Sequence, residues 1–524
     1  MEEKRRKIPI GVQSFAIMRQ EDFLYVDKTR YIYELAHTGR QYFLSRPRRF
    51  GKSLFLSTLK AYWEGKRELF EGLEIVELEK GNEGAFEPYP VFYFDFNGQN
   101  YQRETALEDV LDNMLRNWET EYGCGGQGTL SDRFQSLLKS AMKKTGKSCV
   151  VLVDEYDKPL LEVLENDSLE EHNKAVFKGF FGTLKSYDEY LRFVFITGVT
   201  KFSKVSIFSD LNQLRDISLE DSYSAVCGMT AEEVCTCFQP EVARLAEKQG
   251  LQRDECLHKL AEMYDGYHFS PESPGIYNPF SLLNTLETGV FRAYWFSTGT
   301  PTFLVRRLKN MHFDVRQFDE EEIYIEDDIL TDYRADSPEI VPLLYQTGYL
   351  TIVGYERETG LYIVGFPNKE VKMAFLRNLL PEYTPVAVTG SGRDILALRR
   401  RILAGDTDGM REILTALFAS IPYTTDDAPF EHYFQSVLYI VFTLLGQYVH
   451  CEVHSSRGRA DCILETEKYV YIFEFKVGKS AQEALEQIEE KGYALPYSAD
   501  SRQIFKIGVC FDAKEGKLSE WKCR

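Results

Sequence analysis

The chain has 524 residues, 44% hydrophobic and 27% charged, with 32 Tyr and 36 Phe. That is the composition of a folded protein of about three domains and excludes a disordered or low-complexity chain. A net charge of −19 excludes a general basic footprint for nucleic acid, so any such binding needs a local patch or a metal. The longest apolar run, Val437–Leu445 with Thr443 inside it, is too short to span a bilayer. Ten cysteines with no Cys-x-x-Cys pair read as free thiols in a reducing cytoplasm.

From the N-terminus, Tyr25-Val26-Asp27-Lys28-Thr29 reads as a turn into a helix, with Asp27 as its cap. The apolar run Tyr42-Phe43-Leu44 reads as a short buried strand, and Leu54–Lys60 as a helix with one apolar face. Between them lies Ser45-Arg46-Pro47-Arg48-Arg49-Phe50-Gly51-Lys52-Ser53. Strand, loop, Gly-Lys-Ser and helix form the layout of a phosphate-binding P-loop, in which backbone N–H groups point at the phosphates. Lys52 is expected to reach the β- and γ-phosphates and Ser53 to hold Mg²⁺. One position departs from the pattern: Arg46 stands where the first glycine is usual. Lys52 is also expected to stand exposed when the site is empty, so that its removal leaves the fold intact.

About a hundred residues later, Cys149–Val153 is a buried strand running into Asp154-Glu155, a Walker B arrangement. Asp154 is expected in the Mg²⁺ shell and Glu155 as the residue that orients the attacking water. Val91–Phe96, Phe193–Thr197 and Arg215–Leu219 read as further strands, with helices over about 105–118, 130–142 and around Val176, Phe180 and Leu184. Strands alternating with helices predict a parallel three-layer sheet, with ligands at the carboxyl ends of its strands. Thr197 falls at such an end, either as a γ-phosphate sensor or simply as the last residue of its strand. Arg48, Arg49 and Arg215 are arginine-finger candidates by proximity.

Residues 220–310 read as mostly helical, with aromatic clusters at Met263–Phe269, Tyr277–Ser281 and Tyr294–Pro301 that suit packing. An acidic run from Asp319 to Asp328 reads as a solvated connector. A helix through Leu343–Gly348 and two strands, 349–355 and 361–366, resemble a winged-helix unit, and residues 368–420 read as helical.

In the last module, Glu431–Gly446 is helical by period, and Tyr469–Lys476 is a strand carrying Glu474 and Lys476 on one face. A hairpin centred near Thr466-Glu467 would set Asp461 opposite about residue 472, diagonal to Glu474 and within reach of a shared metal. Two such carboxylates suit Mg²⁺, Glu431 is placed to complete the shell, and Lys476 to orient water or meet charge on phosphorus. That is the chemistry of metal-dependent phosphodiester hydrolysis. The alternative is a surface ion pair, but Glu474 and Lys476 lie within an apolar run, where unpaired charge is costly. Residues 421–524 carry 12 Lys/Arg and 16 Asp/Glu, so this module is no evident electrostatic trap for DNA.

Taken together, these motifs resemble a bacterial two-part family, an AAA-ATPase-like domain followed by a PD-(D/E)XK nuclease-like domain. The marks are Phe43–Leu54, Tyr25–Thr29, Val153–Asp157, Thr197–Lys201, Tyr277–Ser281, Gly458-Arg459-Ala460-Asp461, Phe473–Lys476 and Gln487. In that family an arginine at the position of Arg46 is usual. The resemblance implies an α/β fold: a P-loop NTPase parallel sheet, a helical and winged-helix-like middle, and a C-terminal restriction-endonuclease-like domain. The expected divisions are 1–220 for the ATPase, 221–335 for a helical lid, 336–420 for the winged-helix-like connector and 421–524 for the nuclease-like domain. The expected nucleotide-binding set is Arg48, Arg49, Phe50, Gly51, Lys52, Ser53, Leu54, Asp154 and Thr197. The expected catalytic set is Glu155, Glu431, Asp461, Glu474 and Lys476, with Ser53, Asp154, Asp461 and Glu474 as metal ligands. ATP and Mg²⁺ are the expected cofactors and DNA the expected partner, with RNA and homo-oligomerisation left open. The alternative is a nucleotide-dependent switch or scaffold whose nuclease-like domain only binds.

Overall fold

Four apolar runs and the short charged pair Arg215-Asp216 become five parallel strands: β1 (Gln41–Ser45), β2 (Val91–Asp95), β3 (Cys149–Asp154), β4 (Leu191–Gly198) and β5 (Arg215–Asp216). The computed structural model places them in the order β2-β3-β4-β1-β5 and describes residues 6–164, 166–201, 213–295, 304, 308, 313, 317–320, 323–331, 340–383, 391–419, 430–446, 450–452, 462–512 and 517–524. Every residue of β3 is buried, which is why the run reads as continuously apolar and not as alternating. Helix Lys52–Trp63 packs Phe55 and Trp63 onto Phe195 and Phe193 of β4. Trp118, Phe134 and Phe180, from three other helices, converge on Phe94 of β2.

Strand β5 is shorter than the expected Arg215–Leu219. The Asp216 carboxylate accepts from Ser218 N at 3.0 Å, and this local turn takes the chain out of the ladder. Asp27 does cap, and twice: its two oxygens accept from Thr29 N at 2.9 Å and from Glu74 N at 2.8 Å, each at a helix start.

The chain divides into two compact units. The first is Met1–Trp295 with Tyr324–Lys369, the second Phe296–Ile323 with Glu370–Arg524. Within the first, helices Gln239–Gln249, Arg253–Tyr264 and Pro279–Thr288 share a core of Val242, Leu245, Leu260, Tyr264, Leu282 and Leu286. The short strands β6 (Met229–Thr230) and β7 (Ile276–Tyr277) pair beside it. After β8 (Ile323–Ile325), helix Val341–Thr347 leads into an antiparallel hairpin of β9 (Thr351–Glu356) and β10 (Leu361–Gly365). The strand β9 starts two residues later than expected, because Tyr349 and Leu350 still donate back to Leu344 O and close the helix around Gly348 at φ 90°.

The second unit holds a mixed sheet, β11 (His450–Glu452), β12 (Cys462–Glu465), β13 (Tyr469–Val477), β14 (Gln503–Asp512) and β15 (Lys517–Cys523), in sequence order. Only β13 and β14 run parallel, and helix Ala481–Glu490 crosses between them. Leu485 and Ile488 of that helix bury against Val470 and Ile472. Gly508 permits the approach, since a Cβ there would lie 2.3 Å from Ala481 O.

Candidate nucleotide and metal sites

The loop after β1 enters helix Lys52–Trp63 through Arg49 at φ 71° and Gly51 at φ 96°. Arg46 explains the missing glycine. It is 2% exposed, and its side chain donates to Ser45 O and Ser218 O at 2.8 Å and to Tyr223 O at 3.0 Å. Its guanidinium lies 4.1 Å over the ring of Phe269. Burial pushes its pKa down to about 10, so it stays charged at neutral pH. The neighbours are held separately. Trp295 Nε1 donates to Arg48 O at 3.1 Å, and Gly228 N to Phe50 O at 2.9 Å. Phe50 is buried edge-on against Tyr267, while Arg48 and Arg49 are exposed. Arg46→Gly, which restores the usual glycine, is therefore expected to destabilise the unit by about 3 kcal/mol or more, since three carbonyls lose their donor and a cavity opens. Thermal unfolding of the full chain checks this, and a variant as stable as wild type would show that the loop does not need the arginine.

Lys52 is not exposed as expected. It is 5% exposed, and its Nζ donates to Arg46 O at 2.8 Å and Pro47 O at 3.1 Å. The loop folds over its own lysine, and its carbonyls satisfy the buried ammonium. Ser53 and Leu54 are half-buried in the first helical turn.

Strand β4 lies between β1 and β3, with Leu44 opposite Thr197 and Val153 opposite Ile196. Asp154 ends β3 and is 1% exposed. Burial pushes its carboxyl up, and a hydrogen bond from Ser53 and the charge of Lys52 pull it back down. Thr197 donates to Asp154 Oδ1 at 2.9 Å and Tyr93 to Oδ2 at 3.3 Å. The Thr197 hydroxyl, near the end of β4, is thus engaged with the Walker B acid. Glu155 is half-buried with φ 50°, a left-handed backbone unusual for a non-glycine, and turns the chain off the strand. The Ser53 hydroxyl lies close to the Asp154 carboxylate, an oxygen donor set that suits a hard divalent cation. Arg215 stands apart: it pairs opposite Tyr42, at the amino end of β1, and forks onto Glu220 at 2.8 and 2.6 Å. Sequence reasoning gave no role to Tyr93 or to Asp157, although Asp157 closes the Val153–Asp157 motif. The signals were a tyrosine in the neighbouring strand and a third acid three residues after Asp154.

In the second unit Glu474 is 1% exposed, and Lys476 Nζ donates to its Oε1 at 2.8 Å. Both share the face of Ile472 and Val470 by strand alternation. The hairpin turns one residue later than expected, with Thr466 N donating to Tyr469 O at 2.9 Å, so Ile463 stands opposite Ile472 and Cys462 opposite Phe473. Asp461 lies outside the described residues, as do Gly458, Arg459 and Ala460. Glu431 falls in the first turn of helix Phe430–Leu445, where side chains are outside the described set. That helix packs through Phe442 on Phe473 and Phe475, the sheet face opposite Glu474 and Lys476. Gln487 sits on the crossover helix, and its amide donates to Tyr493 at 3.5 Å. Among the described residues no group of three or more His, Cys, Asp or Glu comes together. Glu474 offers one buried carboxylate of the type a divalent cation takes.

A P-loop and a Walker B acid on one parallel sheet, joined to a mixed-sheet unit with a buried Glu–Lys pair, define a P-loop ATPase-like protein with a nuclease-like module. Residues 9–208 match the family model described as predicted AAA-ATPase, and residues 429–521 that of the PD-(D/E)XK nuclease superfamily. A relative from Azotobacter chroococcum mcd 1, described as "Uncharacterized protein in vnfD 5'region", is 38% identical over 523 residues, covering 97% of this chain and 96% of the relative. The chain belongs to the family of AAA-ATPase-like proteins with a C-terminal PD-(D/E)XK nuclease-superfamily domain. Among the described residues no helix is long and apolar enough to cross a membrane.

Proposed function

We propose that the protein binds and hydrolyses ATP and that its C-terminal domain cleaves DNA with a divalent cation, under control of the nucleotide state. The observation that carries the first part is the meeting of Lys52, Ser53, Asp154 and Thr197 at the carboxyl ends of β1, β3 and β4. Loop N–H groups and Lys52 would hold the phosphates, with Lys52 exchanging its loop carbonyls for phosphate oxygens. Arg48, Arg49, Phe50, Gly51 and Leu54 shape the loop and helix N-terminus around them. Ser53 and Asp154 would hold Mg²⁺, Thr197 would keep Asp154 oriented, and Glu155 would position the attacking water.

In the C-terminal domain Glu474 would hold the cation together with Asp461, and Glu431 would assist. Lys476 would position the attacking water or meet negative charge on the phosphate. A cation bound there would polarise the scissile phosphodiester. DNA is the working substrate assignment, with RNA as the alternative. Assays on DNA and RNA panels with Mg²⁺ or Mn²⁺, with and without ATP, test it; no cleavage under any condition would remove it. The acidic balance of residues 421–524 favours a second reading, a nucleotide-dependent switch whose nuclease-like domain only binds a partner.

Glu155→Gln is expected to keep ATP bound but slow its hydrolysis by roughly a hundredfold, because the water loses its base while the Ser53–Asp154 pair survives. Equilibrium binding and turnover, measured on the same preparation, check it. An equal fall in both would take the water-positioning role away from Glu155.

A further inference from the structure

The end of β4 and the turn that leaves it, Thr197-Gly198-Val199-Thr200-Lys201, are attached at three points. Thr197 donates to Asp154 at 2.9 Å. Gly198 O accepts from Arg46 N, the first residue of the phosphate loop, at 3.1 Å. Lys201 N donates to Gln346 Oε1 at 3.0 Å, on helix Val341–Thr347. A turn with three such attachments keeps its shape only if something holds it from within.

Asp157 does so. It is 1% exposed, and one carboxylate oxygen, Oδ2, accepts from Val199 N at 3.0 Å, Thr200 N at 2.6 Å and Thr200 Oγ1 at 2.8 Å. Tyr156 adds a strut on each side, donating its N–H to Thr197 O at 3.1 Å and its hydroxyl to Thr200 O at 3.0 Å. The other oxygen, Oδ1, is buried without a hydrogen-bond partner and faces Gly198, where a Cβ would come within 2.7 Å. Burying a carboxyl group to this degree with an unmet oxygen is costly. The three bonds that converge on Oδ2 offset that cost and hold the turn in one shape.

We infer that Asp157 is a positioning residue for ATP hydrolysis: it locks the turn after β4 so that the Thr197 hydroxyl stays on Asp154 and the Gly198 carbonyl stays on the phosphate loop. The inference rests on the ATPase reading above. Asp157 itself meets neither nucleotide nor metal; it acts through Thr197 and Arg46. Loss of the lock lets Asp154 drift by a fraction of its bond length, and such misplacement slows chemistry far more than it weakens binding.

The experiment measures ATP turnover, nucleotide binding and melting temperature on the full chain. Asp157→Ala is expected to lower kcat roughly ten- to a hundredfold while the dissociation constant for ATP changes by less than about twofold. Asp157→Asn, whose carbonyl oxygen can still accept from Val199 N and Thr200 N, is expected to restore most of that loss. Thr200→Val removes a single bond to Asp157 and is expected to lower kcat a few fold, again without weakening binding; it carries the test if Asp157→Ala does not fold. Unchanged kcat in these variants would overturn the assignment. So would a parallel loss of binding and turnover, or an asparagine variant no better than alanine. Wild-type protein that binds ATP and never hydrolyses it would overturn the ATPase reading and the assignment with it.

Discussion

Lys52→Ala is expected to abolish ATP hydrolysis, with a loss of at least about a hundredfold in turnover and a weaker nucleotide affinity. On the proposed reading the lysine is the cation that meets the β- and γ-phosphates, and a preorganised charge at that position is worth that much. The structure adds a second effect. Because Nζ donates to Arg46 O and Pro47 O within a buried loop, its removal leaves both carbonyls without their donor. A loss of about 1–3 kcal/mol of stability is expected in the first unit. Lys52→Arg keeps charge but not shape, and a guanidinium in a loop this close is expected to rescue neither. Turnover by phosphate release and unfolding by calorimetry separate the two effects. Hydrolysis at the wild-type rate in Lys52→Ala would remove this loop as the site. The same variant reports on control. If the nucleotide state gates the nuclease, cleavage falls although Glu474 and Lys476 are untouched, since a ligand shifts an equilibrium only through different affinity for its two states. If cleavage persists, the two activities are merely tethered.

The second large effect is expected from Glu474→Ala, which should eliminate nucleic-acid cleavage and leave ATP turnover near wild type. Glu474 and Asp154 lie in different units, on different sheets, and use different partners. Glu474→Ala should also lose any rise in melting temperature on adding Mg²⁺ or Mn²⁺, because ion binding to the native state stabilises it by mass action and the carboxylate is gone. Lys476→Ala should abolish cleavage too, but keep the metal-induced rise. It removes the cation beside a carboxylate that is 1% exposed, so without metal the domain is expected to lose about 3 kcal/mol. Added Mg²⁺ should recover part of that loss, because the ion replaces the missing positive charge. Melting curves of the full-length variants with and without the ion read both effects. An equal metal response in the two variants would remove Glu474 from the ligand set.

Sequence alone determined the parallel-sheet strands, the phosphate loop, the Asp154-Glu155 end of β3 and the shared face of Glu474 and Lys476. Each of these is a local signal: an apolar run, a Gly-Lys-Ser at a strand-to-helix junction, or a period of two inside one strand. Tertiary structure alone decided the rest, because the partners lie far along the chain. Arg46 finds its acceptors at Ser218 and Tyr223, and Asp157 its donors at Val199 and Thr200. Thr197 reaches Asp154 only because β4 is laid beside β3, a choice of strand order that no window of sequence contains. The one-residue shift in the β12–β13 hairpin has the same origin. Thr466 can close the turn on Tyr469, and only the paired ladder reveals which closure is used. Lys52 is the plainest case: its type marks a phosphate site, but its burial depends on where the loop carbonyls fold. Residue type and period specify the elements; the contacts that orient charged groups are set by which elements become neighbours.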